Sequence, residues 1–352
     1  MKGRFVQFSA GFNLGDAISN EMLSFKNKFS SLGYKAEIYS ENLGTYTRFY
    51  AKKYTEYTFR KNDIIIYHHS IHSKIFNFIK DFPCKKVLIY HNVTPHHFFL
   101  SYDLKLSHFL KKGREELKDM KSYFSYSFAD SEYNLTELKE LGFKNTHLLP
   151  ILYEFEKFDS VQNRTIKSNE IKKILFVGRI APNKKQEDLI RIAKILKEFY
   201  SIKFRIDLVG YCSKELESYK KELEALIKIF QLEEVVYFSD FITDKKLIQY
   251  YSEADIFLCL SEHEGFCVPL IEAMYFDVPV IAYSAGAVAD TLNGAGILFL
   301  KKDFKLIAEM IYKLITEKDF QEKIIKGQRF RMQEYRENKC IENFNQIILN
   351  LL

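Results

Sequence analysis

Short, continuously apolar runs alternate with longer amphipathic segments along this 352-residue chain. The runs include residues 63–67 (DIIIY), 172–178 (KKILFVG) and 278–283 (VPVIAY). Such runs are typical of parallel strands that helices cover on both faces. The segments between them, such as residues 187–199 and 215–230, place apolar residues three and four positions apart, which predicts amphipathic helices. The alternation therefore predicts an α/β fold built on parallel sheets.

One polar segment interrupts this alternation. Residues 153–172 lack a sustained hydrophobic period, so we interpret them as a linker. We predict two doubly wound, Rossmann-like domains, residues 1–152 and 173–330, that face one another across a cleft. C-terminal helices over residues 331–352 are expected to pack back on the first domain. Because open parallel sheets bind ligands beyond the carboxyl ends of their strands, we expect the functional residues in the strand-to-helix loops that border the cleft.

Composition narrows the class of protein. With 47% hydrophobic and 28% charged residues, the chain has enough apolar surface to fold, which excludes a disordered protein. No apolar run approaches the roughly 20 residues of a membrane-spanning helix, and the N-terminal residues lack the pattern of a secretory signal. The five cysteines form no C-x-x-C pair, so we expect reduced thiols and a cytoplasmic protein.

Charge is unevenly distributed between the two halves of the chain. Residues 1–150 carry 22 Lys and Arg against 15 Asp and Glu, whereas the remainder carries 30 against 31. An anionic partner such as a membrane surface, a phosphorylated acceptor or nucleic acid would account for the excess, and so would a lysine-rich solvated surface. The basic amphipathic segment 104–124 leaves two interpretations open, because its apolar face suits either an anionic membrane or the core of its own domain.

The most informative motif places two glutamates after a predicted buried strand. The strand ends at Leu260, the polar loop SEHEGFC follows, and Pro269 marks the start of a helix. Glu264 lies on the loop and Glu272 in the first turn of the predicted helix, so both carboxylates can reach one ligand. Gly265 allows the backbone a close approach, and the free N–H groups of a helix N-terminus favour a phosphate group.

This stretch resembles the E-x(7)-E signature of the retaining glycosyltransferases of family 4, which have the two-domain GT-B fold. The resemblance implies that Glu264 lies beside the donor sugar and that Glu272 hydrogen-bonds the ribose of the nucleotide. It also implies that Gly265, Phe266 and Cys267 lie along the donor, with Cys267 at a position where the family usually has glycine.

Two basic residues follow the first strand of the predicted second domain. Arg179 stands at the end of the strand and Lys184 five residues later. Two cations at a helix start would hold a diphosphate and neutralise it as a leaving group. The segment resembles the V-G-R-x(4)-K segment of the same family, in which Arg and Lys bind the donor phosphates. The loop after Phe238 resembles the family's nucleobase border, which makes Phe241 and Ile242 candidates for base contacts, with core packing as the alternative.

The loop after the first strand of the chain is rich in small residues. Gly11 and Gly15 permit a tight turn, and Asp16 is positioned to cap the helix that follows. The resemblance implies that this loop approaches the donor diphosphate, with Gly15 as the candidate contact.

Six of the nine histidines lie between residues 68 and 97. A histidine cluster suggests a metal site, but no Cys or carboxylate occurs at ligand spacing, so we expect no metal. His91 ends the predicted strand KVLIY, and the resemblance implies that it contacts the donor sugar; a hydrogen bond to the loop backbone is the alternative. His68, His69 and His72, one strand earlier, are expected on the acceptor side.

The resemblance implies a retaining, metal-independent hexosyltransferase without a cofactor. Its substrates would be GDP-mannose or a UDP-hexose and a hydroxyl of a growing, lipid-linked surface glycan such as a lipopolysaccharide. Such an enzyme would lie in the cytoplasm, peripheral to the inner face of the membrane, without binding nucleic acid. A GT-B epimerase or phosphorylase is the alternative reaction, and a nucleic-acid-binding protein that uses the basic first half is the alternative class.

Overall fold

The computed structural model describes residues 3–152, 155, 158, 170–240, 242–336 and 339–350. Most of the predicted linker, 153–172, lies outside these residues, and its last residue, Lys172, begins a strand. The chain divides into two compact units. The N unit comprises residues 1–97, 105–154 and 338–352, and the C unit comprises residues 98–104 and 155–337.

The N unit contains a seven-stranded sheet in the order β3-β2-β1-β4-β5-β6-β7. All neighbouring strands in it are parallel. The strands are β1 (Arg4–Phe12), β2 (Lys35–Leu43), β3 (Lys52–Lys53), β4 (Asp63–His69), β5 (Lys85–Tyr90), β6 (Tyr126–Ala129) and β7 (Thr146–Leu148).

Along the chain, four α-helices lie between strands of this sheet: α1 (Ala17–Ser31), α2 (Ile75–Ile79), α3 (Leu104–Met120) and α4 (Glu132–Glu140). Helix α1 buries Met22, Phe25 and Phe29, which recur three and four residues apart and so share one face. The ring of Phe29 stacks on that of Phe5 in β1, with centroids 4.0 Å apart. This apolar face holds α1 against the sheet.

The C unit contains a six-stranded parallel sheet in the order β10-β9-β8-β11-β12-β13. Its strands are β8 (Lys172–Val177), β9 (Phe204–Val209), β10 (Val236–Ser239), β11 (Ile256–Cys259), β12 (Val280–Tyr283) and β13 (Ile297–Phe299). The helices are α5 (Gln186–Phe199), α6 (Glu217–Ile229), α7 (Asp244–Glu253), α8 (Val268–Tyr275), α9 (Val288–Leu292), α10 (Phe304–Thr316) and α11 (Lys318–Arg336). The strands and the apolar faces of α5, α6 and α10 share one buried core.

The last helix, α12 (Lys339–Asn350), belongs to the N unit. Its Phe344 is buried against Phe25 and Phe128, with ring centroids at 4.8 and 5.0 Å. The chain therefore returns to its first unit after completing the second, whereas residues 331–336, at the end of α11, belong to the C unit.

Both sheets have the strand order of a doubly wound fold, in which the order reverses between the first and fourth strands. The reversal lies between β1 and β4 in the N unit and between β8 and β11 in the C unit. The prediction of two Rossmann-like α/β domains is confirmed. No helix within the described ranges is both long enough and apolar enough to cross a membrane.

Candidate functional site

The strand reversal in the C unit brings three loops to one edge of the sheet. Strands β8, β11 and β12 are neighbours, so the loops after them begin side by side at the carboxyl edge. The first loop carries Arg179 and Lys184, the second Glu264 and the third Gly286.

Lys184 and Glu264 form a closed ion pair at this edge. The Nζ atom of Lys184 lies 2.8 and 2.7 Å from the two carboxylate oxygens of Glu264. The two side chains are only 17% and 7% exposed, so water screens the pair weakly. Burial lowers the pKa of Lys184, but the charge of Glu264 outweighs it, and the pKa is raised overall. The ammonium has three N–H groups, and among the described residues only Glu264 accepts from it, which leaves one N–H to donate to a ligand.

Backbone contacts hold Glu264 in place from two sides. On one side, the N–H of Glu262 donates to the carbonyl of Asn183 at 2.8 Å, next to Lys184. On the other, the N–H of Ala287 donates to the carbonyl of Glu264 at 2.9 Å. The loop after β11 is therefore bonded to the loops after both β8 and β12.

Gly286 permits this close packing. It has a φ of +57°, and a Cβ built on it would lie 2.2 Å from the carbonyl oxygen of Glu264. Only a residue without a side chain fits there without moving the loop.

We expect Gly286→Ala to lower the free energy of unfolding by about 1–3 kcal/mol, because the new methyl group forces the left-handed backbone or the Glu264 loop to shift. Gly327→Ala is the matched control, since a Cβ at Gly327 in α11 meets open space. That variant should gain about 0.5–1 kcal/mol. Urea unfolding followed by circular dichroism measures both, and equal stability of the two variants would contradict this account.

Glu272 is buried in α8 and is held by a tyrosine. The hydroxyl of Tyr251 donates to Glu272 Oε2 at 2.6 Å, and Glu272 is 6% exposed. Pro269 lies at the helix start as predicted, but α8 begins one residue earlier, at Val268. Glu272 therefore lies in the second turn rather than the first, because the chain becomes helical immediately after the left-handed residue Cys267.

The residues between the two glutamates form a tight turn. Phe266 is buried, and its carbonyl accepts a hydrogen bond from the hydroxyl of Thr291. Cys267 has a φ of +70°, and its Sγ atom lies 4.0 Å from that of Cys259 in β11. The contact with the Cys259 sulfur, together with burial, raises the pKa of Cys267 well above its usual value, so this thiol is neutral beside Glu264.

Arg179 follows β8 and is exposed. Its carbonyl accepts a hydrogen bond from Gln186 Nε2 at 2.9 Å, which ties the loop to the first residue of α5. Within the described part of the chain its guanidinium forms no ion pair, in contrast to Lys184. Of the two candidates for base contacts, Phe241 lies outside the described residues. Ile242 is half-buried in the loop between β10 and α7.

In the N unit, the turn after β1 forms at Gly15, whereas Gly11, which the sequence placed in the same turn, lies within β1 and pairs with Asn42 of β2. Gly15 has a φ of +85° and Asp16 caps α1 by accepting a hydrogen bond from the N–H of Ser19. The predicted contact of Gly15 with a diphosphate stays a prediction.

His91 lies in a buried polar cluster at the carboxyl edge of the N-unit sheet. Its Nε2 lies 3.0 Å from Nδ1 of His68, and its Nδ1 lies 3.3 Å from Oδ2 of Asp130. Glu21 Oε2 completes the cluster, 3.6 Å from His91 Nε2. Burial raises the pKa of Glu21 to about 7 and lowers that of His68 well below its usual value. The predicted contact of His91 with a sugar stays a prediction, and its side chain is 2% exposed.

His69 and His72, the other two histidines expected on the acceptor side, lie outside this cluster. His69 is buried in the N-unit core, where its Nε2 lies 3.1 Å from the carbonyl of Gly113, and burial lowers its pKa to about 4. His72 pairs with Glu116 at 2.6 Å.

Sequence reasoning did not select Glu21 or Asp130. Glu21 shares the α1 face of Phe25 and Phe29, four and eight residues later, and an acid within an apolar stripe was a usable signal. Asp130 directly follows β6. Because buried charges require partners, a carboxylate at either position would predict polar contacts inside the unit.

Residues 158–331 match the family described as glycosyl transferases group 1. CapM of Staphylococcus aureus, a capsular polysaccharide biosynthesis glycosyltransferase, is 32% identical over 187 residues, which are 51% of this chain and 47% of CapM. The serotype-specific mannosyltransferase WbdA of Escherichia coli is 25% identical over 175 residues, which are 48% of this chain and 20% of WbdA. The matches thus span about half or less of the length of these curated relatives.

Solved structures extend the likeness to the N unit. HepE of Anabaena, crystallised in complex with UDP and glucose, has a TM-score of 0.71 to this chain. The match covers 99% of this chain and 100% of HepE at 17% identity, which shows a shared fold. The chain has the two Rossmann-like domains of the GT-B fold class. The stretch that matches the glycosyl transferases group 1, residues 158–331, includes Lys184, Glu264 and Glu272.

Proposed function

We propose that this protein is a retaining glycosyltransferase of family 4. It transfers a hexosyl unit from GDP-mannose or a UDP-hexose to a hydroxyl of a growing, lipid-linked surface glycan. The observation that supports this most directly is the group at the carboxyl edge of the C-unit sheet, where Lys184 holds Glu264 and Tyr251 holds Glu272.

The leaving diphosphate needs positive charge near it. Lys184 has one N–H left for a phosphate oxygen, and the exposed guanidinium of Arg179 follows the same strand. Charge-assisted hydrogen bonds from both would stabilise the diphosphate as the glycosidic bond breaks. Because these cations supply the countercharge, we propose that transfer needs no metal ion at the diphosphate. Gly265, Phe266 and Cys267 would line the donor beside them, and Gly15 would approach it from the N unit.

The sugar would be oriented by Glu264. Both of its oxygens accept hydrogen bonds from Lys184, which disfavours Glu264 as a nucleophile that attacks the anomeric carbon. We therefore assign it to binding sugar hydroxyls, with the acceptor attacking on the face that the diphosphate leaves. The anomeric configuration is retained because the new bond forms on the face from which the diphosphate leaves, and a phosphate oxygen of the leaving diphosphate takes the acceptor proton.

The nucleotide would be held by Glu272 through its ribose hydroxyls, with Ile242 and Phe241 near the base. The acceptor class rests on CapM, whose name assigns it to capsular polysaccharide biosynthesis. Placement at an anionic membrane surface rests on the excess of basic residues before residue 150.

The test is a thermal-shift screen with UDP, GDP and other nucleoside diphosphates, followed by incubation with the matching labelled nucleotide sugar and membrane glycan. A ligand that binds the native state raises the unfolding temperature by mass action. We expect a shift with one nucleotide and labelled glycan as the product. An epimerised nucleotide sugar, or a phosphate-dependent sugar phosphate, would indicate the alternative reactions, and no shift with any nucleotide would contradict the proposal.

Substitutions of Glu272 and Glu264 should change different quantities, the first the affinity for the nucleotide and the second kcat. Glu272→Gln should raise the dissociation constant for the nucleoside diphosphate about 10- to 100-fold with little change in kcat, because it removes a charged hydrogen bond to the ribose. Glu264→Ala should lower kcat. The control is Glu253→Gln, which changes a glutamate of α7 that pairs with Lys173 at 2.6 Å. Calorimetry and initial rates measure both effects, and wild-type values in both Glu272 and Glu264 variants would refute the assignment.

A further inference from the structure

We propose that the loop between β2 and β3, residues 44–51, inserts aromatic side chains into the surface layer of an anionic lipid membrane. Phe49 and Tyr46 are 88% and 81% exposed, which makes them the two most exposed large hydrophobic residues of the described chain, and Tyr50 is 44% exposed. Single exposed apolar residues are ordinary, but a group of them with a polar rim marks an interaction site. The contact would bring the N unit to a lipid-linked acceptor, and in that respect the inference rests on the proposed function.

Hydrogen bonds and two buried residues fasten this loop to the sheet. The N–H of Gly44 donates to the carbonyl of Phe12, at the end of β1, at 2.9 Å. Thr47 is buried, and its hydroxyl donates to the carbonyl of Gly44 at 2.7 Å. The N–H of Ala51, which is also buried, donates to the carbonyl of Thr47 at 3.1 Å. Because these residues anchor the loop, the exposure of its aromatic side chains is a feature of the folded N unit.

The charge around the loop is complementary to anionic lipid. Residues 44–62 contain five Lys and Arg and one acidic residue, Glu56. Arg48 stands next to the most exposed aromatic residue, and its own side chain is 74% exposed. Even with Glu37 of β2, which pairs with Lys52 at 3.1 Å, the basic residues exceed the acidic ones by three. Each basic side chain near an anionic leaflet strengthens the attraction to it.

The side chains also suit the layer between water and hydrocarbon. Tyrosine is enriched there because its ring is apolar and its hydroxyl is polar. The ring of Phe49 has no polar atom and would reach the acyl boundary, while the guanidinium of Arg48 would bind lipid phosphate. A second copy of the chain fits less well. At these exposures the three aromatic residues offer about 550 Å² at most, whereas a stable protein interface buries about 800 Å² on each partner.

Helix α3 does not compete with the loop for the apolar contact. Of the two interpretations left open for the segment 104–124, the structure supports packing on its own domain, because Leu110, Leu117 and Met120 are buried. The lysines on the opposite face of α3, such as Lys111 and Lys118, are exposed and would add charge alone. The loop between β2 and β3 therefore supplies the apolar part of the contact.

The first test uses fluorescence, since the chain has no tryptophan. Phe49→Trp reports on the loop, and Phe199→Trp is the matched control, because Phe199 in α5 of the C unit is 72% exposed. With vesicles that contain phosphatidylglycerol, the emission of the Phe49→Trp variant should move to shorter wavelength and be quenched by lipids brominated in the acyl chain. The control should show neither change, and vesicles of phosphatidylcholine alone should give a much smaller response. Unchanged emission of the Phe49→Trp variant would overturn the proposal, whether or not the protein binds the vesicles.

The second test is co-sedimentation of the full chain with the same vesicles. Phe49→Ser should weaken binding about 10- to 100-fold, the loss expected when a phenylalanine side chain is no longer buried. Arg48→Gln should weaken it about 5-fold, and Phe199→Ser should bind like the wild type. Vesicle binding by Phe49→Ser equal to that of the wild type would refute the assignment.

Two controls separate this proposal from its alternatives. Because Phe49 is exposed, Phe49→Ser should fold normally and keep the thermal shift with the nucleoside diphosphate, so failure of membrane binding and failure of the proposed sugar transfer are distinguishable. Gel filtration over a range of concentrations should show no dimer that depends on Phe49. A dimer that Phe49→Ser abolishes would show that a second copy covers the loop, and would overturn the proposal.

Discussion

Replacing Lys184 with methionine is expected to lower the turnover of sugar transfer by about 100- to 1,000-fold, the usual loss when one preorganised donor to a developing negative charge is removed. The substitution keeps an unbranched side chain of similar length but removes the ammonium that bonds both oxygens of Glu264. The carboxylate is then left buried without its partner. The protein should therefore also lose stability, by about 3–5 kcal/mol.

Two further variants separate these effects. Lys185→Met removes the next lysine, which pairs with Glu187 and Glu262 and is 26% exposed, so it should affect turnover far less. The double variant Lys184→Met/Glu264→Gln removes both charges and should regain much of the stability without regaining activity. Initial rates at saturating donor and urea unfolding measure the two quantities. Recovery of turnover in the double variant would show that Lys184 acts only through folding.

The second large effect is expected in the N unit, where Asp63→Asn should lower the free energy of unfolding by about 3–5 kcal/mol. Asp63 accepts hydrogen bonds from Arg4 Nε and Nη2 at 2.9 and 2.6 Å. It also accepts one from the hydroxyl of Tyr57 at 2.6 Å. The side chains of Arg4 and Asp63 are 8% and 1% exposed, so a neutral amide at residue 63 removes a buried two-bond charge pair and leaves the guanidinium with Glu37, 2.6 Å from its Nη1, as a carboxylate partner.

A similar pair at the surface provides the control. Asp277 accepts hydrogen bonds from Arg329 Nε and Nη2 at 3.0 and 2.9 Å, but Arg329 is 61% exposed. Asp277→Asn should therefore cost at most about 1 kcal/mol, and asparagine suits the left-handed backbone of this residue. Because the chain has two units, denaturant unfolding should be followed by hydrogen exchange in each. An equal loss of unfolding free energy in Asp63→Asn and Asp277→Asn would show that burial of the arginine does not determine the size of the loss.

The strands and the chemistry of the C unit could be predicted from local patterns. Continuous apolar runs predict parallel strands, because both faces of such strands are buried. The loops that follow these strands come to one edge of the sheet. Glu264, Glu272, Arg179 and Lys184 could be selected because each stands at a strand end or near a helix start. Their spacing did not show that Lys184 and Glu264, 80 residues apart, bond to each other.

The polar cluster of the N unit could not be predicted from local sequence patterns, for a different reason. His68 and His91 are evident in the sequence, but spacing along the chain does not show which distant carboxylates lie beside them. Glu21 lies on a helix that precedes both in the chain, and Asp130 directly follows β6, which comes after both. Only the packing of α1 on the sheet brings its carboxylate within 3.8 Å of both rings.

The sequence by itself determined the alternation of strands and helices, the two-domain α/β class and the loops that carry charge, because hydrophobic period and turn residues act over a few positions. The tertiary structure alone decided which charges neutralise one another. A buried charge without a partner raises the free energy of the folded state. Strand order and helix packing decide which partner lies beside each buried charge, because they bring together residues far apart in the chain.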